Sequence, residues 1–267
     1  MTDLTGKFFW YELMTSDPEA AIRFYGDVVG WTTKVFGDDL TGDPYHVVSA
    51  SAGQMGGIMA IPAELKDHGM RPWWGGYIGA TDVDADVQRL TAAGGSVKGA
   101  PEDIPGVGRF AVMADPGGAI FMLLKGSSPE GMEAPPPMAN GHVGWHELYS
   151  GDFAADLAFY TSQFGWGTGE AMDMGEMGKY QLFSLSGATD FHSMSGGIMP
   201  LPKQMPMPLW LFYFVVPDID AATEKVKAGG GTVLNGPVEV PGGAWIIQAN
   251  DPQGAMFALV GMRPGAQ

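Results

Sequence analysis

The phrase Trp10-Tyr11-Glu12-Leu13 returns as Trp145-His146-Glu147-Leu148, so an acidic side chain stands at the same place twice. If the phrase is a strand, side chains alternate between faces, and Glu12 shares a face with Trp10 as Glu147 does with Trp145. Desolvation on an apolar face pushes a carboxylate toward its protonated form, which makes Glu12 and Glu147 candidate general acid or base groups near neutral pH. The competing role is structural: a glutamate fixed to a backbone amide or an indole N–H, holding the strand in place. His146 has the opposite parity from Glu147 and replaces Tyr11, which is the place of a surface residue or of one at a contact between domains.

Apart from this pair, few side chains are arranged for chemistry. The five histidines are His46, His68, His142, His146 and His192; only His142 and His146 are four residues apart, but Val143 stands where the helical zinc motif HExxH needs glutamate and His146 belongs to a strand-like phrase, and there is no cysteine. Asp82, Asp84 and Asp86 alternate like the start of a calcium loop. Val87 stands where that loop needs glycine and Ala93 where it needs glutamate, so an acidic helix start is the better reading. There is no nucleophile elbow, no Walker loop, and no GxGxxG opening a helix after a strand. Arg109 and Lys7 are isolated basic groups near strand ends, where they either receive an anion or remain solvated. The 18 methionines and 8 tryptophans are a stronger signal. Trp10, Met59, Trp74 and Met122 in the first half, and Trp145, Met199, Trp210 and Phe212 in the second, fall on strand-like stretches. They either line a site for a flat, apolar or cationic molecule or fill a core.

The chain that must position these groups has 267 residues, 45% of them hydrophobic, with 14 basic residues against 30 acidic ones. A net charge of −16 repels phosphate backbones and anionic lipid surfaces, so nucleic acid and membranes are not expected partners. The longest wholly apolar run, Leu209 to Val216, is far below the ~18 residues of a spanning helix. The opening residues have no leader-like pattern, and a cytoplasmic location is expected.

Self-similarity extends well beyond the glutamates. Phe24-Tyr25 with Gly30-Trp31 is echoed by Phe159-Tyr160 with Gly165-Trp166, and Asp115-Pro116-Gly117-Gly118 by Asp251-Pro252-Gln253-Gly254, at offsets of 135 and 136. A nearly constant offset over more than a hundred residues means that a whole domain is duplicated in tandem. Within one copy, a strand over Lys7 to Met14 precedes a helix capped by Ser16 and Glu19, with Ile22, Tyr25, Val28 and Val29 inward and Gly30 at its end. Three short strands follow. A second round runs from a strand over Trp73 to Ala80, through a helix capped by Asp82, to three more strands, so each copy holds two βαβββ units.

With FYxxxxGW after the first helix, an AGG helix end and DPxG before the last strand, this order resembles the vicinal oxygen chelate superfamily. That superfamily includes glyoxalase I, extradiol dioxygenases, and bleomycin- and fosfomycin-resistance proteins. The resemblance covers nearly the whole chain outside the linker. It implies an α+β fold of four βαβββ modules forming two tandem glyoxalase/bleomycin-resistance-like domains, at 1–125 and 142–267, joined by a Pro/Gly-rich, semi-rigid linker at 126–141.

In metal-dependent members of the family, His, Gln or Glu projects into a cupped sheet from the first and last strands. By that resemblance the ligand positions fall at Trp10 and Trp145, Met122 and Ala258, and near Gly76 and Phe212. None of these side chains offers an oxygen or an imidazole nitrogen, so no metal and no other cofactor is expected. The leading expectation is a protein that binds a small apolar or aromatic molecule in metal-free cups, with its two domains paired within the chain and a homodimer left open. The alternative is a lyase, isomerase or dioxygenase-like enzyme of the family, using Glu12 and Glu147 or a divalent ion held elsewhere.

Overall fold

A computed structural model describes residues 4–38, 42–126 and 135–264. Its elements follow the expected order. The first module is β1 (Phe8–Thr15), α1 (Pro18–Val29), β2 (Thr32–Asp38), β3 (Pro44–Ala50) and β4 (Gly53–Ala60), followed by the short helix α2 (Ala63–Asp67). The second is β5 (Trp73–Gly79), α3 (Val83–Ala92), β6 (Ser96–Ile104), β7 (Gly108–Ala114) and β8 (Ile120–Gly126). The third is β9 (Val143–Ser150), α4 (Phe153–Phe164), β10 (Gly167–Asp173), β11 (Lys179–Ser184) and β12 (Gly196–Pro200), and the fourth is β13 (Leu209–Val216), α5 (Ile219–Ala228), β14 (Thr232–Glu239), β15 (Trp245–Asn250) and β16 (Met256–Gly261). The strands form two sheets of eight, in the orders β2-β3-β4-β1-β5-β8-β7-β6 and β10-β11-β12-β9-β13-β16-β15-β14. This is the α+β architecture of four βαβββ modules.

Each module's long helix starts on an aspartate. Asp17, Asp82, Asp152 and Asp218 each accept a hydrogen bond from a backbone N–H of the first turn, Ala20 N–H at 3.0 Å in α1. The expected Ser16 cap is therefore displaced by one residue. Pro18 is the cause: its fixed φ and missing N–H suit the first helical position, which makes Asp17 the cap. Gly30 and Gly165 close α1 and α4 in the left-handed conformation, at φ 87° and 69°. The buried face of α1 is centred on Ala21, Phe24, Tyr25, Val28 and Val29, while Ile22 is only half-buried. Residues 127–134 of the linker lie outside the described residues. Beyond them the chain closes into a turn, with Ala139 N–H donating to the Pro136 carbonyl at 3.1 Å, so this end of the spacer is not a straight rod.

The chain divides into two compact units that do not follow the two copies. Of the described residues, 4–10, 75–126 and 146–210 form one unit, and 11–38, 42–74, 135–145 and 211–264 form the other. Each unit therefore takes one module from each copy. In the second unit, Tyr25, Trp31, Trp74, Phe214 and Phe257 pack ring against ring at centroid distances such as 4.8 Å for Trp31 and Phe214. In the first, Phe8, Phe121, Tyr160, Trp166, Phe183 and Trp210 do the same, with Trp166 stacked on Tyr160 at 4.7 Å. Among the described residues no helix is long and apolar enough to cross a membrane.

Candidate functional site

The most conspicuous buried polar chains in the two units are structural. In one, the Trp74 indole N–H donates to the Tyr25 hydroxyl at 2.9 Å, and that hydroxyl donates to Asp251 Oδ2 at 3.1 Å. In the other, Trp210 donates to Tyr160 at 2.9 Å and Tyr160 to Asp115 Oδ2 at 3.1 Å. The second oxygen of each aspartate ties down its own turn, Asp115 through the N–H groups of Gly118 and Ala119, and Asp251 through those of Gln253 and Ala255. The tyrosine of each FY motif is thus the middle of a core hydrogen-bond chain that runs from a strand tryptophan to the DPxG aspartate of the other copy. Burial, with Asp156 close by, raises the Asp115 carboxyl from 3.8 to about 7, and burial raises Asp251 in the same direction.

Of the aromatic residues that either line a site or fill a core, three fall on the core side. Trp74 and Trp210 turn toward Tyr25 of α1 and Tyr160 of α4, so their indoles belong to the helix-packed core. Phe212 shares its strand face with Trp210 and Phe214, and it packs edge-on against Tyr11 at 5.0 Å. Sequence alternation fixes which residues share a face; it does not say which face receives the helix.

The glutamates lie elsewhere. Glu12 on β1 is 6% exposed and stands in register with Gly57 on β4, which is in turn in register with Val47 on β3. Tyr45, two residues before Val47 and so on the same face, donates its hydroxyl to Glu12 Oε2 at 2.9 Å. The ring crosses Gly57 to get there. A Cβ on Gly57 would collide with the Tyr45 hydroxyl and ring, so a side chain at 57 is incompatible with the bond. The other unit repeats the arrangement. Glu147, also 6% exposed, accepts from Tyr180 at 2.9 Å, with the Tyr180 ring lying where a Cβ on Gly197 would be. Met59 is in register with Met14 one step along from Gly57 and Glu12, and Met199 holds the same place beside Gly197. Each glutamate therefore has a tyrosine and a methionine on its own strand face. Trp10 and Trp145 are half-buried two residues before Glu12 and Glu147, and Met122 is buried on β8 in register with Tyr77.

Sequence reasoning missed Tyr45, Tyr180, Gly57 and Gly197. The signals were present: Tyr45 and Tyr180 share the 135 offset with the glutamates, and both copies carry two glycines before Ile-Met.

The remaining candidates have structural partners. Of the two readings for His146, the surface one fails because the side chain is buried; its Nδ1 lies 2.9 Å from the Ser195 carbonyl and its ring stacks at 5.1 Å on Phe8, a residue of the other copy. Burial pushes its imidazole down from 6.5 to about 4, so it is neutral at neutral pH and its Nδ1–H donates to that carbonyl. His142 Nε2 accepts from Ala52 N–H at 3.3 Å. Arg109 is held by Asp84 at 2.6 Å and Asp103 at 3.1 Å, not free to receive an anion, and Asp82 is occupied as the α3 cap.

The tandem modules, the sheet order and the reciprocal Tyr–Asp chains agree with the comparisons to known proteins. The model of the Glyoxalase/Bleomycin resistance protein/Dioxygenase superfamily matches residues 7–123 and 141–259. This chain belongs to that superfamily. It is 30% identical over 96% of its length to "Putative glyoxylase CFP32" of Mycobacterium tuberculosis, covering 94% of that protein. It is 30% identical over 96% of its length to the anthracycline biosynthesis protein DnrV of Streptomyces peucetius, covering 93%. Its fold is similar to that of the Mn(II)-bound glyoxalase from Novosphingobium aromaticivorans, with a TM-score of 0.64 at 16% identity, covering 96% of this chain and 82% of that one.

A divalent ion, as in that manganese glyoxalase, needs three or more oxygen or nitrogen donors from protein side chains converging on one point. Among the described residues no group of three His, Asp or Glu side chains has that arrangement. The positions implied by the family carry indole, thioether, methyl, phenyl or hydrogen. The donor chemistry of this superfamily member does not fit the ion.

Proposed function

We propose that this glyoxalase-superfamily protein binds a small, flat, apolar or aromatic molecule, offering Glu12 in the first copy and Glu147 in the second as the polar anchor. One observation carries the reading: the same buried Glu–Tyr hydrogen bond, 2.9 Å long, over a glycine that the ring requires, is built twice. A lone buried carboxylate costs free energy unless it is hydrogen-bonded, and Tyr45 and Tyr180 each occupy one oxygen and fix its orientation. The methionine beside each glutamate supplies a polarizable, adaptable surface for a ring. Relatives named for anthracycline biosynthesis support an aromatic guest that carries hydroxyl groups.

The same geometry favours a second reading, in which the oriented carboxylate moves a proton to or from the guest in a lyase or isomerase reaction. A fluorescence titration with a dihydroxyanthraquinone separates the readings. Saturable quenching of the tryptophans is expected, weakened about tenfold by Glu12→Gln and Glu147→Gln together, the scale of a lost hydrogen bond to a charged group. Binding that both substitutions leave unchanged rejects the anchor. Conversion of the anthraquinone by the unaltered protein, lost in the double variant while binding persists, selects the enzyme.

A further inference from the structure

The two DPxG turns meet the helices packed on them through different side chains. In one unit, Asp156 of α4 is fully buried, accepts from Ser150 Oγ at 2.5 Å, and receives the Gly117 N–H at 2.7 Å from the turn Asp115-Pro116-Gly117-Gly118. A Cβ on Gly117 would run into the Asp156 carboxylate and come within 2.7 Å of the Asp152 nitrogen. The Gly117 backbone is not in the left-handed region, so what demands glycine here is the facing start of α4, the Asp156 carboxylate first and the Asp152 backbone nitrogen with it. In the other unit the equivalent pair is Ala21 and Gln253, at the same offsets of 135 and 136. Ala21 is fully buried without a carboxylate, Gln253 has a side chain where Gly117 has none, and its N–H is satisfied at 3.0 Å by Asp251 of its own turn. A large group on the helix faces glycine on the turn, and a small group on the helix goes with a side chain on the turn.

We infer that these two pairs are a matching code that makes the turn of each copy specific for the helix of the other. A first-copy turn on a first-copy helix would set Gly117 against Ala21 and leave the space of both side chains empty. A second-copy turn on a second-copy helix would set Gln253 against Asp156, adding a buried, partnerless carboxamide oxygen to a buried carboxylate. Both like-with-like pairings are penalised, whether formed within one chain or between two. The partner this surface accepts is the opposite copy's module.

A double-mutant cycle in the full chain tests the code, read as urea unfolding midpoints. Asp156→Ala and Gly117→Gln are each expected to lower the folded-to-unfolded ratio about tenfold or more, and the pair together to recover most of the loss because it rebuilds the Ala21–Gln253 combination. Ala21→Asp is expected to be severe and to be rescued by Gln253→Gly. If Gly117→Gln alone does not fold, recovery of a folded protein on adding Asp156→Ala gives the same support. Additive losses in both cycles, or double variants that stay unfolded, overturn the inference.

Discussion

Tyr45 shows how one hydroxyl can position a buried carboxylate. Its bond to Glu12 passes over Gly57, so two substitutions remove it in different ways. Tyr45→Phe deletes the donor and should cost about 1 kcal/mol in unfolding free energy. Gly57→Ala leaves the donor but blocks its path, so the ring must move, at about 1–3 kcal/mol. Both should weaken anthraquinone quenching to a similar degree, which a fluorescence titration measures; an effect of Gly57→Ala alone would assign the glycine to backbone packing. The glutamates were legible at this scale because they recur in a phrase with a tryptophan. The tyrosines carried a fainter signal, the shared offset alone, because Tyr45 in Pro44-Tyr45-His46 and Tyr180 in Lys179-Tyr180-Gln181 have no matching immediate neighbours.

At the level of elements, most of the fold was readable because local signals agreed with one another. Apolar periodicity, aspartate caps and terminal glycines all mark α1, α3, α4 and α5. Ser16 misled because serine and aspartate are nearly equal as caps, and only the following proline breaks the tie. Asp17→Ala should therefore destabilise the protein by about 1 kcal/mol while Ser16→Ala stays within about 0.5 kcal/mol, as urea midpoints would show. The placement of Trp74 and Trp210 was not readable. Both fit a strand face equally well as lining or as core, and what decides is the Tyr25 or Tyr160 hydroxyl, 49 or 50 residues away.

Stability across pH should reflect two buried groups that act in opposite directions. The His146 imidazole is lowered from 6.5 to about 4, so in that window the unfolded chain binds more protons and stability falls as the pH falls. The Asp115 carboxyl is raised from 3.8 to about 7, so there the folded chain binds more protons and stability falls as the pH rises. Asp115→Asn should gain on the unaltered protein between pH 5 and 8, and His146→Phe should flatten the acid limb, in urea midpoints taken across pH. A slope that Asp115→Asn leaves unchanged would remove that carboxyl from the account. The duplication was plain in the sequence, but the exchange of modules between copies was not. Tyr25 and Asp251 are 226 positions apart, and an offset reports kinship rather than contact.

That exchange also sets a timetable for synthesis. One compact unit needs nothing beyond Trp210, whereas the other begins near Tyr11 and is complete only when the strands after Leu211 have been made. While the ribosome is still working, the earliest helix therefore waits for Asp251 and Phe257, the last of its partners to be made, and the middle of the chain can finish folding before the beginning does.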